Sequence, residues 1–296
     1  MKKFHYVSHR ARGFASSEQT GEAFRNAFSA GITKIEFDIR LTSDGVPVVH
    51  HDSSLKRVFG NTGKIACSTL TSLQQAAGKS GNLNNLLTLE EVFGLLHESV
   101  KATYTLFIDI KDAGGESLIL EIAGRYGLLD NIVVVSWLPE VLHALHRINP
   151  SIPLCFSHHY IPQAAGRIIL GTALKLKAAM GLSPYKKRDF FLLTEKYNQN
   201  LSQSRKLLKP GEDYEHILKT PPQGELGNIL RKTGGFVCIH YSMITVQSYK
   251  KYTGSGFKII PYSINTTEQF NALPGDALFP FVLTDNPAFA LESIKY

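Results

Sequence analysis

Hydrophobic and polar positions along the 296-residue chain follow two alternating periods. Short runs rich in β-branched and aromatic residues are separated by segments whose apolar residues recur every three or four positions, the spacing of an amphipathic helix. Two of these segments, 22–31 and 88–100, are typical helices, and Thr88 with Glu91 predicts a capping box at the start of the second. The strand-like runs are residues 4–10, 34–41, 104–111, 131–137, 152–159, 235–242, 257–265 and 279–285.

The alternation of strands and helices predicts the fold class. Strands joined by helical crossovers are parallel, and eight of them that close on themselves form a (β/α)₈ barrel. A doubly wound open sheet is the alternative, but no glycine-rich nucleotide loop follows any of the strands. We therefore predict an α/β protein, a (β/α)₈ TIM barrel, with residues 1–296 forming a single domain.

Residues 46–51, VPVVHH, interrupt this alternation. Only residues 43–45 separate them from the second strand, too few for a parallel crossover, so we predict an inserted β-hairpin strand. The Asp-Gly pair in this connection favours a two-residue turn. Symmetric pairing about that turn would place Asp38 opposite His51 on one face, and His50 would point to the other side.

Polar residues gather where the predicted strands end, which is the active-site face of such barrels. Glu36 and Asp38 lie two residues apart, on one face of the second strand. Two neighbouring carboxylates repel each other unless a cation lies between them, and oxygen ligands suit Mg²⁺, Ca²⁺ or Mn²⁺ better than zinc. Asp109, at the end of the third strand, would complete the set. Surface acids on an exposed strand edge remain the alternative.

Two histidines and two cations accompany these acids. His9 and His51 would flank the metal, and a base and an acid beside a Lewis-acidic metal are what phosphodiester cleavage requires. Arg10 and Lys111 are suited to hold the phosphate.

The net charge of +7 is concentrated in one stretch. Between Arg167 and Lys232 there are 13 Lys and Arg residues against 6 Asp and Glu residues, and the remainder of the chain is balanced. This basic insertion, at about 165–232, extends the connection between predicted strands 5 and 6, and basic residues in it adjoin the apolar run 190–193. It would form either a lid near the active site, which we favour, or a weak contact with an anionic membrane.

Cysteine usage and the chain's hydropathy bear on the protein's location. The three cysteines form no C-x-x-C pair, which argues against a disulfide framework or a thiolate zinc site. The first residues are not followed by the apolar segment of a signal peptide, and no run of about 18 apolar residues would span a bilayer. We expect a cytoplasmic protein.

The order and spacing of many short motifs resemble those of the glycerophosphodiester phosphodiesterase family. The matching positions are His9-Arg10, Glu18-Gln19-Thr20, Glu36, Asp38, Thr42, Asp44-Gly45, Val48-Val49, His51-Asp52, Leu55, Arg57, Gly63-Lys64-Ile65, the run 87–92, Asp109-Ile110-Lys111, Ser136-Trp137, Tyr262-Ser263-Ile264-Asn265 and Thr284-Asp285 with Pro287.

The resemblance implies metal-dependent hydrolysis of glycerophosphodiesters to glycerol 3-phosphate and an alcohol. It implies that Glu36, Asp38 and Asp109 bind Mg²⁺ or Ca²⁺, with Mn²⁺ as a third candidate. His9 and His51 would form the general acid–base pair. The residues implied to position phosphate and glycerol are Arg10, Glu18 and Lys111. In the family's route the substrate's 2-hydroxyl attacks phosphorus, and water then opens the cyclic phosphate.

Four positions depart from the family pattern. Ala11 replaces a glycine, Gln19 an asparagine, Asp109 a glutamate and Tyr262 a tryptophan. None of them removes a histidine or the Glu-x-Asp pair, so we expect an active enzyme with a small-molecule substrate and no nucleic-acid partner. The alternatives are a lysophospholipase D that acts on lysophospholipids and a non-catalytic phosphodiester-binding barrel.

Overall fold

The computed structural model describes residues 5–78, 86–99, 104–158, 221–275 and 277–292. Within these ranges the strands are β1 (Tyr6–His9), β2 (Lys34–Leu41), β3 (Pro47–Val49), β4 (Thr105–Ile110), β5 (Ile132–Ser136), β6 (Leu154–Ser157), β7 (Phe236–His240), β8 (Lys258–Tyr262) and β9 (Val282–Thr284). The α-helices are α1 (Gly21–Ser29), α2 (Lys56–Phe59), α3 (Leu70–Gly78), α4 (Leu89–Ser99), α5 (Glu116–Arg125), α6 (Pro139–Ile148), α7 (Gly224–Lys232), α8 (Val246–Gly254), α9 (Thr267–Asn271) and α10 (Pro287–Glu292).

The strands form a nearly closed parallel barrel. Their order is β8-β7-β6-β5-β4-β2-β1-β9, and β3 pairs with β2 outside this path. The backbone N–H of Ile264, just beyond β8, donates to the carbonyl of Leu283 in β9 over 2.9 Å and so links the two ends of the sheet. The predicted (β/α)₈ barrel is confirmed.

Alternation along the strands creates two separate cores. Outward-facing residues such as Ile35, Phe37 and Ile39 pack under the helices. The inward-facing set fills the barrel itself and comprises Val7, Phe107, Val133, Val135, Cys155, Cys238, Ile260 and Leu283. This apolar plug lies beneath the polar residues at the carboxyl ends of the strands, the end at which such barrels hold their active sites.

Helix capping follows the predicted pattern. Glu91 N–H donates to the Thr88 hydroxyl over 3.2 Å, and the Thr88 N–H donates to a carboxylate oxygen of Glu91 over 2.7 Å. The capping box predicted from the sequence therefore starts α4. At α1, Thr20 accepts from the N–H of Ala23, and this cap anchors the end of the loop that carries the active-site residues after β1.

The inserted hairpin is present, but the predicted register was wrong by one residue. Ile39 pairs with Val49 and Leu41 with Pro47, so residue 38 is opposite residue 50 and not residue 51. The reason is the turn. Its loop has three residues, closed by the N–H of Gly45 donating to Thr42 O over 3.0 Å, and Gly45 has a φ of 78°. A type I turn followed by a left-handed glycine adds one residue to the predicted two-residue turn.

Most of the basic insertion predicted at about 165–232 lies outside the described residues. Its last nine residues form α7, which packs against α6 and β6 as the barrel helix that leads into β7. Among the described helices, none combines the length and apolar character needed to cross a membrane.

Candidate active site

Strand register brings the predicted acids and His9 together. The β1–β2 pairing places His9 beside Glu36, and the β2–β4 pairing places Asp38 beside Asp109. The three acids each offer an oxygen within 4.8 Å of the others. Glu36 and Asp109 line a cavity of about 270 Å³, and Asp38 is fully buried beside them. The lining residues are His9, Arg10, Glu36, Arg40, His51, Phe107, Asp109, Lys111, Val135, Trp137, Ser157, His158, Cys238, Tyr262 and Leu283.

The acid cluster has the chemistry of a hard-cation site. Glu36, Asp38 and Asp109 are 3%, 0% and 7% exposed. Oε2 of Glu36 and Oδ1 of Asp109 are buried and accept no hydrogen bond from the described residues. Buried carboxylate oxygens are costly without a partner, and a divalent cation would supply one to each acid. The residues present therefore fit such a metal.

The pKa values of the three acids are shifted in different directions by their surroundings. Burial and the neighbouring Asp38 raise the pKa of Glu36 well above its usual value. Burial also raises the pKa of Asp109, against the opposing effect of Lys111. Burial acts in the same sense on Asp38, but Arg10 and Lys111 outweigh it and hold the pKa of Asp38 well below its usual value. Glu36 and Asp109 thus resist ionisation without a further cation, whereas Arg10 and Lys111 hold Asp38 in its charged form.

Arg10 and Lys111 hold Asp38 from two sides. The Lys111 ammonium lies 2.9 Å from Oδ1 of Asp38 and also contacts Asp109. The Arg10 Nε lies 2.9 Å from Oδ2 of Asp38, close enough for an ion pair although its N–H does not point at that oxygen. Both cations line the cavity, so the two residues predicted to bind phosphate lie beside the predicted metal ligands.

The loop after β1 uses left-handed backbone at non-glycine residues. Arg10, Ala11 and Gln19 have φ values of 61°, 49° and 56°, a region that costs an L-residue roughly 1–2 kcal/mol. The family has glycine at the position of Ala11, and the left-handed backbone explains that preference. The methyl group of Ala11 is fully buried and packs in the core. The conformation allows Gln19 to donate to Asp38 Oδ2 over 3.0 Å and to accept from the Asp38 N–H over 2.7 Å.

Each predicted acid–base histidine is paired with an aspartate. Nδ1 of His9 lies 2.7 Å from Oδ1 of Asp285, just beyond β9, and Nε2 lies 3.6 Å from Oε2 of Glu36. Nδ1 of His51 lies 2.7 Å from Oδ1 of Asp52. A carboxylate on Nδ1 favours the tautomer whose Nε2 carries the lone pair. Both rings are thereby set to exchange a proton through Nε2.

Burial shapes the protonation of both rings. It lowers the pKa of His9, assisted by the positive charge of Arg10 and opposed by Asp285. It lowers the pKa of His51 to about 4, although Asp38 and Asp52 act in the opposite sense. Both histidines are therefore neutral near pH 7 in the free protein, the form that accepts a proton.

His50 and His51 separate as expected, although the register differs. The cavity lining includes His51 but not His50. His50 places Nε2 3.1 Å from the Ser54 carbonyl oxygen and stacks on Phe59. Because β3 ends at Val49, the chain turns before His51, and this turn rather than regular alternation brings His51 to the site.

Glu18 is enclosed by arginines. Its Oε1 lies 2.7 Å from Arg57 and 3.5 Å from Arg10, and its Oε2 accepts from Nε of Arg12. Burial raises the pKa of Glu18, but the three guanidinium groups outweigh burial and lower it to about 2. Glu18 is thus ionised and in contact with Arg10, one of the cavity cations.

The opposite wall of the cavity is neutral and partly aromatic. Tyr262 donates to the carbonyl oxygen of His158 over 2.7 Å, and Nε2 of His158 lies 3.0 Å from the hydroxyl of Tyr252. Burial alone lowers the pKa of His158 to about 4. Trp137 also lines this wall, opposite the acids and cations.

Sequence reasoning assigned no role to several residues that support the site. Asp52 and Asp285 could have been found, since one follows His51 directly and the other ends a strand. Arg12, Arg40 and Asp112 carried no signal. Arg40 donates to the His51 carbonyl oxygen over 2.9 Å and to Asp112 over 2.9 Å, so it holds the backbone of the second histidine. Only the folded backbone brings these groups into contact.

Clustered acids and paired histidines at the carboxyl end of a (β/α)₈ barrel are the groups that a metal-assisted hydrolysis would need. The model of the glycerophosphoryl diester phosphodiesterase family matches residues 9–187. The chain belongs to this family.

Individual relatives are consistent with this assignment. The chain is 27% identical over 162 residues to glycerophosphodiester phosphodiesterase 1 of Homo sapiens. This alignment covers 51% of this chain and 48% of the human protein. It therefore spans about half the length of the curated relatives it matches.

Solved structures share the fold. An Oleispira antarctica phosphodiesterase in complex with the product sn-glycerol-3-phosphate superposes with a TM-score of 0.60 at 20% identity, over 99% of this chain and 98% of that one. A glycerophosphodiester phosphodiesterase from Thermotoga maritima superposes with a TM-score of 0.58 at 19% identity, over 99% of each chain.

Proposed function

We propose that this protein hydrolyses glycerophosphodiesters to glycerol 3-phosphate and an alcohol. The observation that carries the proposal is the convergence, around one cavity of a family member, of three buried acids and two histidine–aspartate pairs. Its substrate is a small molecule, in keeping with a cavity of about 270 Å³.

Proton transfer falls to His9 and His51. One ring acts as the neutral base and accepts the proton of the attacking hydroxyl through Nε2. The other ring must carry a proton on Nε2 for this step, so it takes part as the imidazolium and gives that proton to the departing alcohol. Along the route implied by the family resemblance, the attacking group is the substrate's 2-hydroxyl, and the two rings exchange roles when water opens the cyclic phosphate. Asp285 and Asp52 keep each ring in the required tautomer and orientation.

Arg10 and Lys111 bind the phosphate oxygens. Arg10 presents a planar guanidinium and Lys111 a compact ammonium, and both are buried, so each cation acts where water screens little. Glu18 contacts Arg10 and acts on the substrate through that arginine.

Glu36, Asp38 and Asp109 would hold a divalent cation, Mg²⁺ or Ca²⁺ by ligand chemistry, with Mn²⁺ as a third candidate. A cation bound there supplies Lewis-acid stabilisation of negative charge on the phosphoryl oxygens. The shorter side chain of Asp109 still brings an oxygen within 4.8 Å of the oxygens of Glu36 and Asp38.

The test is an assay of purified protein with glycerophosphocholine. We expect glycerol 3-phosphate to accumulate with Mg²⁺ or Ca²⁺, to stop after chelation and to resume when metal is restored. A parallel reaction with lysophosphatidylcholine separates the small-molecule enzyme from a lysophospholipase D. If neither substrate gives product with any of these metals, the result would favour a non-catalytic barrel and contradict the proposal.

A further inference from the structure

The two histidine–aspartate pairs lie on segments that are far apart in the chain. His9 ends β1 and its partner Asp285 follows β9, whereas His51 and Asp52 follow the inserted hairpin. No strand pairing holds His51 and Asp52, because β3 ends at Val49. Something other than the sheet must set the relation between the two rings.

Each aspartate is also held by an arginine. A terminal nitrogen of Arg12 lies 3.0 Å from Oδ1 of Asp285, the same oxygen that contacts His9. Nε of Arg57 lies 2.6 Å from Oδ2 of Asp52, and Nη2 of Arg57 lies 3.3 Å from Oδ1 of the same carboxylate. Both guanidinium groups therefore limit how the aspartates, and the rings bonded to them, can rotate.

The two arginines meet at one carboxylate. Glu18 accepts from Nε of Arg12 on one oxygen and from Arg57 on the other, the second over 2.7 Å. The Glu18 side chain is 8% exposed, whereas those of Arg12 and Arg57 are 34% and 47% exposed. Isolated ion pairs with such exposed arginines contribute little, but Glu18 is buried and joins two of them into one network.

We propose that Arg12, Glu18 and Arg57 form a positioning bridge that fixes the two acid–base histidines relative to each other. The order of contacts is His9, Asp285, Arg12, Glu18, Arg57, Asp52, His51. The inference rests on the proposed function, because it assigns the bridge to the same reaction. None of the three bridge residues transfers a proton. Arg12 and Arg57 act through the aspartates, and Glu18, which also contacts Arg10, joins the two arginines.

The proposal predicts a kinetic signature distinct from substrate binding. A displacement of about 1 Å in a reacting group costs roughly 10²-fold in rate, whereas a lost substrate contact raises KM. Arg12→Ala and Arg57→Ala should each lower kcat by about 10- to 10²-fold, with KM for glycerophosphocholine changed less than about threefold. The double variant should lose about as much as the worse single variant, because either change breaks the same bridge.

The matched control is Arg125→Ala. Arg125 forms an exposed ion pair with Glu90 at 3.0 Å on the outer helices, and the two side chains are 50% and 48% exposed. This variant should retain the wild-type kcat and KM. Thermal unfolding of all variants distinguishes a loss of positioning from a loss of folded protein.

A second readout does not depend on turnover. The Nδ1–H protons of His9 and His51, hydrogen-bonded to carboxylates, should give downfield proton resonances in NMR spectra of the wild-type protein. Arg12→Ala should broaden the His9 resonance and Arg57→Ala that of His51, while Arg125→Ala leaves both sharp. Unchanged resonances, or a rise in KM at constant kcat, would overturn the bridge. Absence of wild-type hydrolysis would instead reject the proposed function, while the resonances would still report on the bridge.

Discussion

The two halves of the barrel line one cavity with different chemistry. β1, β2, β4 and their following loops contribute His9, Arg10, Glu36, His51, Asp109 and Lys111, whereas β5 to β8 contribute Val135, Trp137, Ser157, His158, Cys238 and Tyr262. The first half thus has the groups that we propose to move protons and bind anions. The second half has a neutral wall suited to shaping the space for the alcohol.

His51 and His158 show what this difference means for a histidine. Burial lowers the pKa of each ring to about 4. Nδ1 of His51 is hydrogen-bonded to the carboxylate of Asp52, whereas Nε2 of His158 is hydrogen-bonded to the hydroxyl of Tyr252. A shifted pKa therefore does not distinguish a proton-transfer residue from a structural one, but the partner and the place in the cavity do.

The largest expected effect tests the charged half. Glu36→Gln keeps the shape of the side chain but removes an anionic ligand, and we expect kcat to fall by about 10³-fold, because metal ions supply several kcal/mol of charge stabilisation. Calorimetric titration with Mn²⁺ should show weakened binding. Asp130→Asn, an exposed acid ahead of β5, is the control and should bind metal normally. Full activity of Glu36→Gln would exclude the three-carboxylate site.

The next effect compares neighbouring histidines. His51→Gln should lower kcat by about 10²-fold or more, the usual contribution of a positioned acid or base. His50→Gln should reduce kcat far less, because that ring contacts Ser54 and Phe59 outside the cavity. Steady-state kinetics at saturating metal measures both. Equal losses would show that the cavity does not separate the two rings.

His158, in the neutral half of the cavity, should make the stability of the protein depend on pH in the acidic range. The pKa of His158 is 6.5 when unperturbed and about 4 when folded, so between these values the unfolded state binds more protons. The contribution of His158 to the free energy of unfolding is fully present above pH 6.5. It decreases by up to about 3 kcal/mol as the pH falls from 6.5 through about 4. Denaturant unfolding of His158→Gln should show a flatter pH dependence in that window. A dependence as steep as that of the wild type would indicate that His158 is not buried as a neutral ring.

The smallest effect concerns the wall itself. Tyr262→Phe deletes the hydroxyl that donates to the His158 carbonyl oxygen over 2.7 Å, a hydrogen bond with a net contribution of about 1 kcal/mol. We expect KM to rise by up to about fivefold, with a smaller change in kcat, because the wall shapes binding rather than proton transfer. Initial-rate kinetics across substrate concentrations measures the split. A drop in kcat as large as that of His51→Gln would place this wall in the reaction chemistry.

The barrel, the inserted hairpin and the convergence of Glu36, Asp38 and Asp109 were predictable from the amino-acid sequence. These follow from local rules: period-two alternation selects which side chains face inward, and parallel crossovers bring the carboxyl ends of the strands to one end of the barrel. The capping box at Thr88 and Glu91 was predictable for the same reason, since its contacts span only three residues.

Tertiary structure alone decided the hairpin register and the partners of the histidines. The register depended on whether the turn had two or three residues, and the dipeptide Asp-Gly is compatible with both. The contacts of His9 and Arg12 with Asp285, and of Arg57 with Glu18, join segments that are far apart in the chain. No periodicity along the chain encodes such contacts, because closure of the barrel, and not the local sequence, makes β1 and β9 neighbours.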